Sequence, residues 1–279
     1  MEIGLLFLFF WHIFVWEMRY TNFKIGDVVS RNSYQNDIVF KIIQIQNNVA
    51  YLKGIDYRLY ADAFLDDLSK VKKVSSDDSL IIERNLKELN VDRDQYFYLP
   101  GKILHIDGDK EYLDRCMNFY QNLGIKANGI AIKEKDISSK IVSLLEEYHP
   151  DIVVITGHDA YYSKKNRSDG LDQYENSSNF VSAIKEARKY EHNQDKLIII
   201  AGACQSDFES LIKAGANFAS SPKRINIHAL DPAIIASSLS FSDRNQSIDL
   251  MKVIGKTKYG SDGIGGLITN GTMYVGYPR

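Results

Sequence analysis

The sequence predicts an α/β protein in which a doubly wound, mostly parallel sheet follows a small β-barrel module. Short alternating apolar segments, separated by turn residues, fill the first quarter of the chain, which is typical of a small all-β unit. From about residue 97 onward, apolar strands alternate with helical patterns, as in a parallel sheet covered by helices. The chain has 279 residues and is 44% hydrophobic, enough for both units to bury a core.

The first 17 residues are set apart from the fold. The run from Ile3 to Trp16 is apolar except for Gly4 and His12, but it is shorter than the ~20 residues that span a bilayer as a helix. Glu2 precedes the run and no small-residue cleavage site follows it, so it does not fit a secretory signal peptide. We therefore predict that residues 1–17 are an apolar extension, compatible with a mis-assigned start codon, and expect no membrane span.

Residues 18–74 carry the pattern of the small β-barrel, which we predict to be SH3-like. Apolar residues alternate over 38–45 and 49–53, and Asn47 and Asn48 between them can adopt the positive φ of a tight hairpin turn. Residues 75–96 are charged, with leucines and isoleucines loosely at helical spacing. We predict a linker helix there, and a second domain over residues 97–279.

The second domain is predicted from a repeating order of strand and helix. Its buried strands are near 103–106, 128–132, 152–155 and 197–201, and its helices are near 110–122, 137–148 and 178–190. In such sheets, ligands and catalytic groups gather at the carboxyl ends of the strands. The residues just beyond those ends are therefore the candidates for chemistry.

A cysteine and a histidine follow two successive strands in this way. His158 lies just after the strand at 152–155 and Cys204 just after the strand at 197–201. A thiol needs a neighbouring base to become an effective nucleophile. A helix predicted from Asp207 would place its N-terminus near Cys204, where unpaired N–H groups favour a thiolate. Cys116 lies within a helical apolar pattern and is expected to be buried. We predict Cys204 as nucleophile and His158 as general base.

Several other classes of protein are not indicated. The formal net charge of −2 gives no basic excess for nucleic acid, and two cysteines cannot form a disulfide framework. No metal site and no cofactor is predicted, since the remaining histidines are isolated or, like His105 and His228, lie within apolar segments where a structural role is more common. No Gly-x-Ser-x-Gly motif of a serine hydrolase is present.

Several long motifs stand out in the chain, at residues 24–29, 100–109, 155–161, 201–222 and 224–232. They resemble those of the YabG family of sporulation-specific peptidases, and the resemblance runs from about residue 18 to the C-terminus. It implies a cysteine endopeptidase that cleaves after arginine and processes spore coat and morphogenetic proteins or germination-protease precursors. It also implies a location in the cytoplasm of the mother cell and later on the spore coat.

The histidine and cysteine motifs are also similar to those of caspases, gingipains and clostripain, which implies a caspase-like sheet. In that group a glycine usually follows the histidine, where this chain has Asp159. The resemblance makes the backbone N–H groups of Asp159 and Gly157 candidate oxyanion donors. An acid is expected to bind the guanidinium of a substrate arginine, and the candidates are, in order, Asp107, Asp109 and Asp231.

Three further hypotheses stay open at this point. The segment around Cys204 could be a nucleophile elbow like that of glutamine amidotransferases, although Ser206 stands where a second glycine is expected. The chain could instead be a non-catalytic spore-coat component. Self-processing is also conceivable, because the polar segment from Lys164 to Arg167 contains basic residues close to His158 in sequence.

Overall fold

A computed structural model describes residues 23–71, 78–88, 96–163 and 170–277. The chain divides into two compact units, residues 1–75 and 76–279, and each is described separately. The apolar extension at 1–17 and the basic segment at 164–167 lie outside the described residues. Across the part that is described, no helix combines the length and the apolar character needed to cross a bilayer.

The first unit is a five-stranded antiparallel sheet. Its strands are β1 (Val28–Arg31), β2 (Val39–Gln46), β3 (Val49–Gly54), β4 (Tyr60–Phe64) and β5 (Leu68–Lys70), in the order β4-β3-β2-β1-β5. Asn47 and Asn48, with φ of 49° and 66°, make the turn between β2 and β3, as predicted. Alternate residues such as Phe40, Ile42 and Leu52 point to one face and are fully buried. An SH3-like arrangement of these strands stays a prediction.

The second unit contains the mostly parallel sheet that the sequence predicts. Its strands are β7 (Ile103–Asp107), β8 (Ala127–Ala131), β9 (Ile152–Thr156), β10 (Ile198–Ala201), β11 (Phe218–Ser220) and β12 (Ile264–Gly266), in the order β12-β11-β10-β9-β7-β8. The first five are parallel and β12 is antiparallel to β11. A separate antiparallel pair joins β6 (Phe97–Leu99) to β13 (Tyr274–Gly276).

Helices cover both faces of this sheet. They are α1 (Asp78–Glu88), α2 (Lys110–Asn122), α3 (Glu134–Tyr148), α4 (Ser177–Tyr190), α5 (Phe208–Ala214), α6 (Asp231–Ser240) and α7 (Leu250–Ile254). Ile152 and Val154 of β9 pack in one core with residues of α2 and α6, while Val153 and Ile155 pack in the other with α3 and α4. Burial on both faces explains why β9 is apolar without alternation.

The strand order reverses at β7, and this positions the candidate site. The chain passes from β7 to β8 on one side and then returns to place β9 on the other side of β7. Such a switch point leaves a crevice at the carboxyl ends of β7 and β9, because the loops that follow them diverge to opposite sides of the sheet. The α/β class and the parallel sheet are confirmed, and a caspase-like fold stays a prediction.

Candidate active site

Three neighbouring strands deliver polar side chains to the same end of the sheet. Ile155 of β9 pairs with Ala201 of β10, and His158 and Cys204 each lie three residues beyond that pair. Both residues therefore leave adjacent strands at the same level. Asp109 follows β7 on the other side of β9 in the same way, since Asp107 pairs with Thr156.

The His158 ring is held between a carboxylate and an aromatic ring. Its Nε2 lies 3.1 Å from Oδ2 of Asp109, and the Tyr112 ring packs edge-on against it at 5.6 Å between centroids. The backbone is held as well, because the His158 N–H donates to Oε1 of Glu134 at 2.8 Å and Nδ2 of Asn176 donates to the His158 carbonyl at 3.0 Å. A carboxylate facing Nε2 favours a proton on that nitrogen and leaves Nδ1 as the basic one.

Asp109 has two roles at once. Its Oδ1 accepts the N–H of Glu111 at 2.9 Å, which makes it the N-cap of α2, while its Oδ2 faces His158. The cap locks the carboxylate in place, since the first turn of a helix offers N–H groups without intrahelical partners. The structure thus brings Asp109, a candidate for binding substrate arginine, into contact with the candidate base.

The Cys204 thiol is fully buried beneath a short stretch of chain. The Ile227 N–H donates to Sγ at 3.4 Å, and the thiol donates to the Ile227 carbonyl at 3.7 Å. We refer to residues 225–227 as the covering segment. The Gln205 N–H donates to the Ile225 carbonyl at 3.1 Å, and Oγ of Ser221 donates to the same oxygen at 2.7 Å.

Local backbone geometry explains the sharp turn that presents Cys204. Gly202 has a φ of 104°, which favours glycine, and a Cβ there would lie 2.8 Å from Cδ1 of Leu211, so that side chain would have to move. Gln205 adopts the same left-handed region with a φ of 58°. The helix that follows begins at Phe208 and is capped by the side chain of Asp207, so its cap is supplied by a carboxylate and not by Cys204.

The Asp159 carboxylate connects the loop of His158 to the loop of Cys204. Its Oδ1 accepts the N–H groups of Ala160 and Asn176 at 2.9 and 2.7 Å, and its Oδ2 accepts the hydroxyls of Ser177 and Ser206 at 2.5 and 2.8 Å. The Ser206 hydroxyl in turn accepts the Ala203 N–H at 2.9 Å, next to Cys204. Burial raises the pKa of Asp159 even though these hydrogen bonds act to lower it.

Glu134 is a site residue that sequence reasoning missed. It is the first residue of α3, which begins earlier than the predicted 137, and its carboxylate accepts the His158 N–H. A Cβ on Gly108 or Gly157 would overlap this carboxylate, so both loops need glycine where Glu134 crosses them. Those two glycines, one after each of two adjacent strands, were the signal in the sequence.

The other two candidate acids are committed to internal contacts. Asp107 is fully buried and accepts the Thr156 hydroxyl at 2.8 Å and the Asp109 N–H at 2.9 Å. Asp231 is 1% exposed and accepts the N–H groups of His228 and Lys258, both at 2.9 Å. Asp107 thus contacts the Asp109 backbone, whereas Asp231 is the first residue of α6 and contacts the His228 backbone.

His105 has the structural surroundings expected of it. Its ring nitrogens lie 3.0 Å from the hydroxyls of Tyr120 and Thr156 within the sheet. Among the described residues, no group of three or more histidine, cysteine or acidic side chains could hold a metal ion.

The family is decided by comparison with known proteins. The family model for YabG peptidase U57 matches residues 24–278. The chain belongs to the YabG peptidase family. The sporulation-specific protease YabG of Bacillus subtilis (strain 168) is 43% identical to it over 284 residues, which cover 92% of this chain and 98% of that protein. The resemblance in the sequence motifs is thus confirmed, and membership of the YabG family makes the chain a protease.

The buried carboxylate predicts a pH-dependent stability. Because the pKa of Asp159 is raised in the folded protein, the folded state binds this proton more tightly than the unfolded chain does. The stability of the wild type relative to Asp159→Asn is therefore fully present below about pH 4 and is lost as the pH rises through the raised pKa. Urea unfolding followed by circular dichroism at a series of pH values measures both free energies.

Asp114→Asn, which removes one carboxylate from an exposed ion pair with Lys110, controls for the loss of a negative charge. A free-energy difference between wild type and Asp159→Asn that grows in favour of the wild type with rising pH would contradict the assignment.

Because the covering segment buries Cys204, we expect its thiol to be alkylated slowly and one substitution to raise that rate. Gln205 donates from Nε2 to Asn226 at 3.2 Å and accepts the Tyr161 N–H at 3.2 Å, so Gln205→Ala removes two side-chain bonds at the edge of the cover. With ~1 kcal/mol for a net hydrogen bond, the alkylation of Cys204 by iodoacetamide is expected to accelerate about fivefold or more. Peptide mapping by mass spectrometry reads the rate at each cysteine.

Cys116 provides the internal control, because it is equally buried and its thiol donates to the Ala229 carbonyl at 3.5 Å. Equal acceleration at Cys116 and Cys204 would show general loosening of the fold and would argue against a local cover.

Proposed function

We propose that the chain is a cysteine endopeptidase in which Cys204 is the nucleophile and His158 the general base. The observation that carries the proposal is their emergence from adjacent parallel strands at the same level, next to the switch point of the sheet. The contact between Asp109 and the His158 ring supports it, because a base that is oriented by a carboxylate is the usual partner of an activated nucleophile.

The proposed reaction follows the chemistry of acyl transfer. His158 accepts the thiol proton at Nδ1, the Cys204 sulfur attacks the scissile carbonyl, and His158 then protonates the departing amine. Water hydrolyses the resulting thioester with His158 again as base. We assign stabilisation of the oxyanion to backbone N–H groups at Gly157 and Asp159, as the family resemblance implies.

Asp109 acts in this proposal as a positioning residue. Its carboxylate fixes the proton on Nε2 of His158 and stabilises the imidazolium that forms during attack. The N-cap bond to Glu111 restricts the carboxylate to that orientation. This function takes Asp109 out of direct contact with substrate.

Substrate entry requires the covering segment to move. Cys204 is 0% exposed while the Ile227 backbone contacts its sulfur, whereas a scissile carbonyl must approach to ~3–3.5 Å. The described arrangement is thus a closed form of the enzyme. The contacts that hold His158 come from Asp109 and Glu134, which lie outside the covering segment.

Cleavage after arginine is part of the proposal through the family resemblance. A guanidinium is best matched by a carboxylate, and Asp107 remains the first candidate after Asp109 is assigned to His158. Because Asp107 and Asp231 are both buried and hydrogen-bonded in the closed form, binding arginine requires rearrangement there too. We further propose spore coat and morphogenetic proteins or germination-protease precursors as substrates, with action in the mother cell and on the coat.

Loss of either reacting group is expected to abolish proteolysis. Cys204→Ala and His158→Ala should each lower the rate of cleavage of an arginine-containing coat-protein substrate by at least ~10³-fold, since they act as one unit. Gel electrophoresis with mass spectrometry of the fragments measures both the rate and the bond cleaved. Cys116→Ala removes the other buried thiol and serves as the matched control that keeps activity.

Cleavage by Cys204→Ala at the wild-type rate would exclude the proposed nucleophile. Glutamine hydrolysis without proteolysis would favour an amidotransferase-like enzyme, and inactivity of the wild type in both assays would favour a non-catalytic coat component.

Asp109→Asn separates orientation of the base from capping of the helix. Asparagine caps helices as well as aspartate does, so the free energy of unfolding should change by less than ~0.5 kcal/mol. The kcat should nevertheless fall about 10- to 10³-fold with little change in KM, because the amide can no longer stabilise the imidazolium. Steady-state kinetics on an arginine-containing peptide measure kcat and KM separately.

Asp109→Ala, which loses the cap as well, is the comparison for stability. A kcat for Asp109→Asn equal to that of the wild type would remove Asp109 from the mechanism and restore it as a candidate for binding arginine.

A further inference from the structure

A concavity of about 380 Å³ in the second unit lies between α1, α6 and the chain at 256–258. One wall is apolar and is formed by Leu80, Ile81 and Ile234. The volume is within the range of sites for small molecules, which run from about 300 to 1,000 Å³. Asp231 in its lining is the last of the candidate acids for substrate arginine, and the other lining residues have no role in the proposed peptidase reaction.

Three basic residues line the cavity: Arg84, Lys256 and Lys258. Arg84 is fixed at the rim, because its Nη2 donates to the Lys256 carbonyl at 2.6 Å. The acid in the lining, Asp231, is 1% exposed and receives two backbone N–H groups. Positive groups therefore exceed negative ones in the lining, and a concave, partly apolar wall concentrates their field.

His228 is among the lining residues, and the backbone sets its tautomer. The Leu230 N–H donates to Nδ1 at 3.2 Å, so Nδ1 is the acceptor and the proton of a neutral ring lies on Nε2. His228 is 2% exposed, and its own N–H is held by Asp231. The ring is thus held in one orientation in the lining.

We propose that this cavity binds a small organic anion, with a phosphate or carboxylate group on Arg84, Lys256 and Lys258 and an apolar group against Leu80 and Ile234. Basic side chains on one side and aliphatic ones on the other match an amphipathic anion better than inorganic phosphate alone. The site is separate from Cys204 and does not depend on the peptidase proposal.

The position of His228 connects the site to the thiol. His228 directly follows Ile227, whose N–H and carbonyl both contact Sγ of Cys204. An anion held in the cavity restrains His228 and, through it, the covering segment. Binding therefore favours the closed form in which Cys204 is buried, as expected when a ligand prefers one of two states.

Isothermal titration calorimetry of the full chain with phenyl phosphate, benzoate and inorganic phosphate tests the binding. We expect phenyl phosphate or benzoate to bind at least tenfold more tightly than inorganic phosphate, and the tighter of the two identifies the preferred charged group. The Lys256→Gln/Lys258→Gln double variant should weaken that binding by tenfold or more. Lys252→Gln, an exposed lysine of α7 outside the lining, should leave it unchanged.

Failure of both organic anions to bind the wild type at millimolar concentration overturns the site, as does equal weakening by Lys252→Gln. The coupling is tested by alkylation with iodoacetamide at a saturating concentration of the tighter anion. The rate at Cys204 should fall at least threefold while the rate at Cys116 stays constant. An unchanged rate at Cys204 overturns the link to the covering segment.

Discussion

The buried carboxylate of Asp159 is the interaction on which the arrangement at the end of the sheet depends. It accepts hydrogen bonds from its own loop after β9, from the start of α4 and from Ser206 after β10. Without this acceptor, the buried hydroxyl donors of Ser177 and Ser206 would lose their hydrogen bonds, which costs ~1–3 kcal/mol for each group. One side chain therefore fixes the distance between the loop of His158 and the loop of Cys204.

Carboxylates crowd this edge of the sheet, and each is satisfied in a different way. Asp107 binds a hydroxyl within the sheet, Asp109 caps a helix and faces His158, and Glu134 holds the His158 backbone. Each carboxylate accepts hydrogen bonds from donors in fixed positions. The three side chains can therefore lie close together, each held in one orientation. This arrangement constrains the backbone, because a Cβ at Gly108 or Gly157 would overlap the Glu134 carboxylate.

The sequence was sufficient for features that depend on apolar periodicity. β9 and β10 were predicted from continuous apolar runs, and the positions of His158 and Cys204 followed from the ends of those runs. The contact between Asp109 and His158 was not predicted, because it depends on a side-chain orientation set by the helix cap. Glu134 was missed because the predicted helix began at 137, after the turn that carries it. The covering segment has no sequence signal, since Ser221 and Arg224 adopt positive φ without being glycine.

A small number of hydrogen bonds holds the covering segment over Cys204, so the segment is stable in place but can still open. Its direct contacts to sulfur, at 3.4 and 3.7 Å, are weak because sulfur is a weak donor and acceptor, whereas the bonds from Ser221 and Gln205 to the covering segment join oxygen and nitrogen atoms at 2.7 to 3.2 Å. At ~1 kcal/mol net for each bond, opening costs a few kcal/mol, which is within the range of local fluctuations in folded proteins. A bound peptide can offset that cost only if it replaces the bonds that Ile225 and Asn226 give up. In the proposed mechanism, opening is therefore favoured by extended chains that offer backbone donors and acceptors, and so by peptide substrates over small amides.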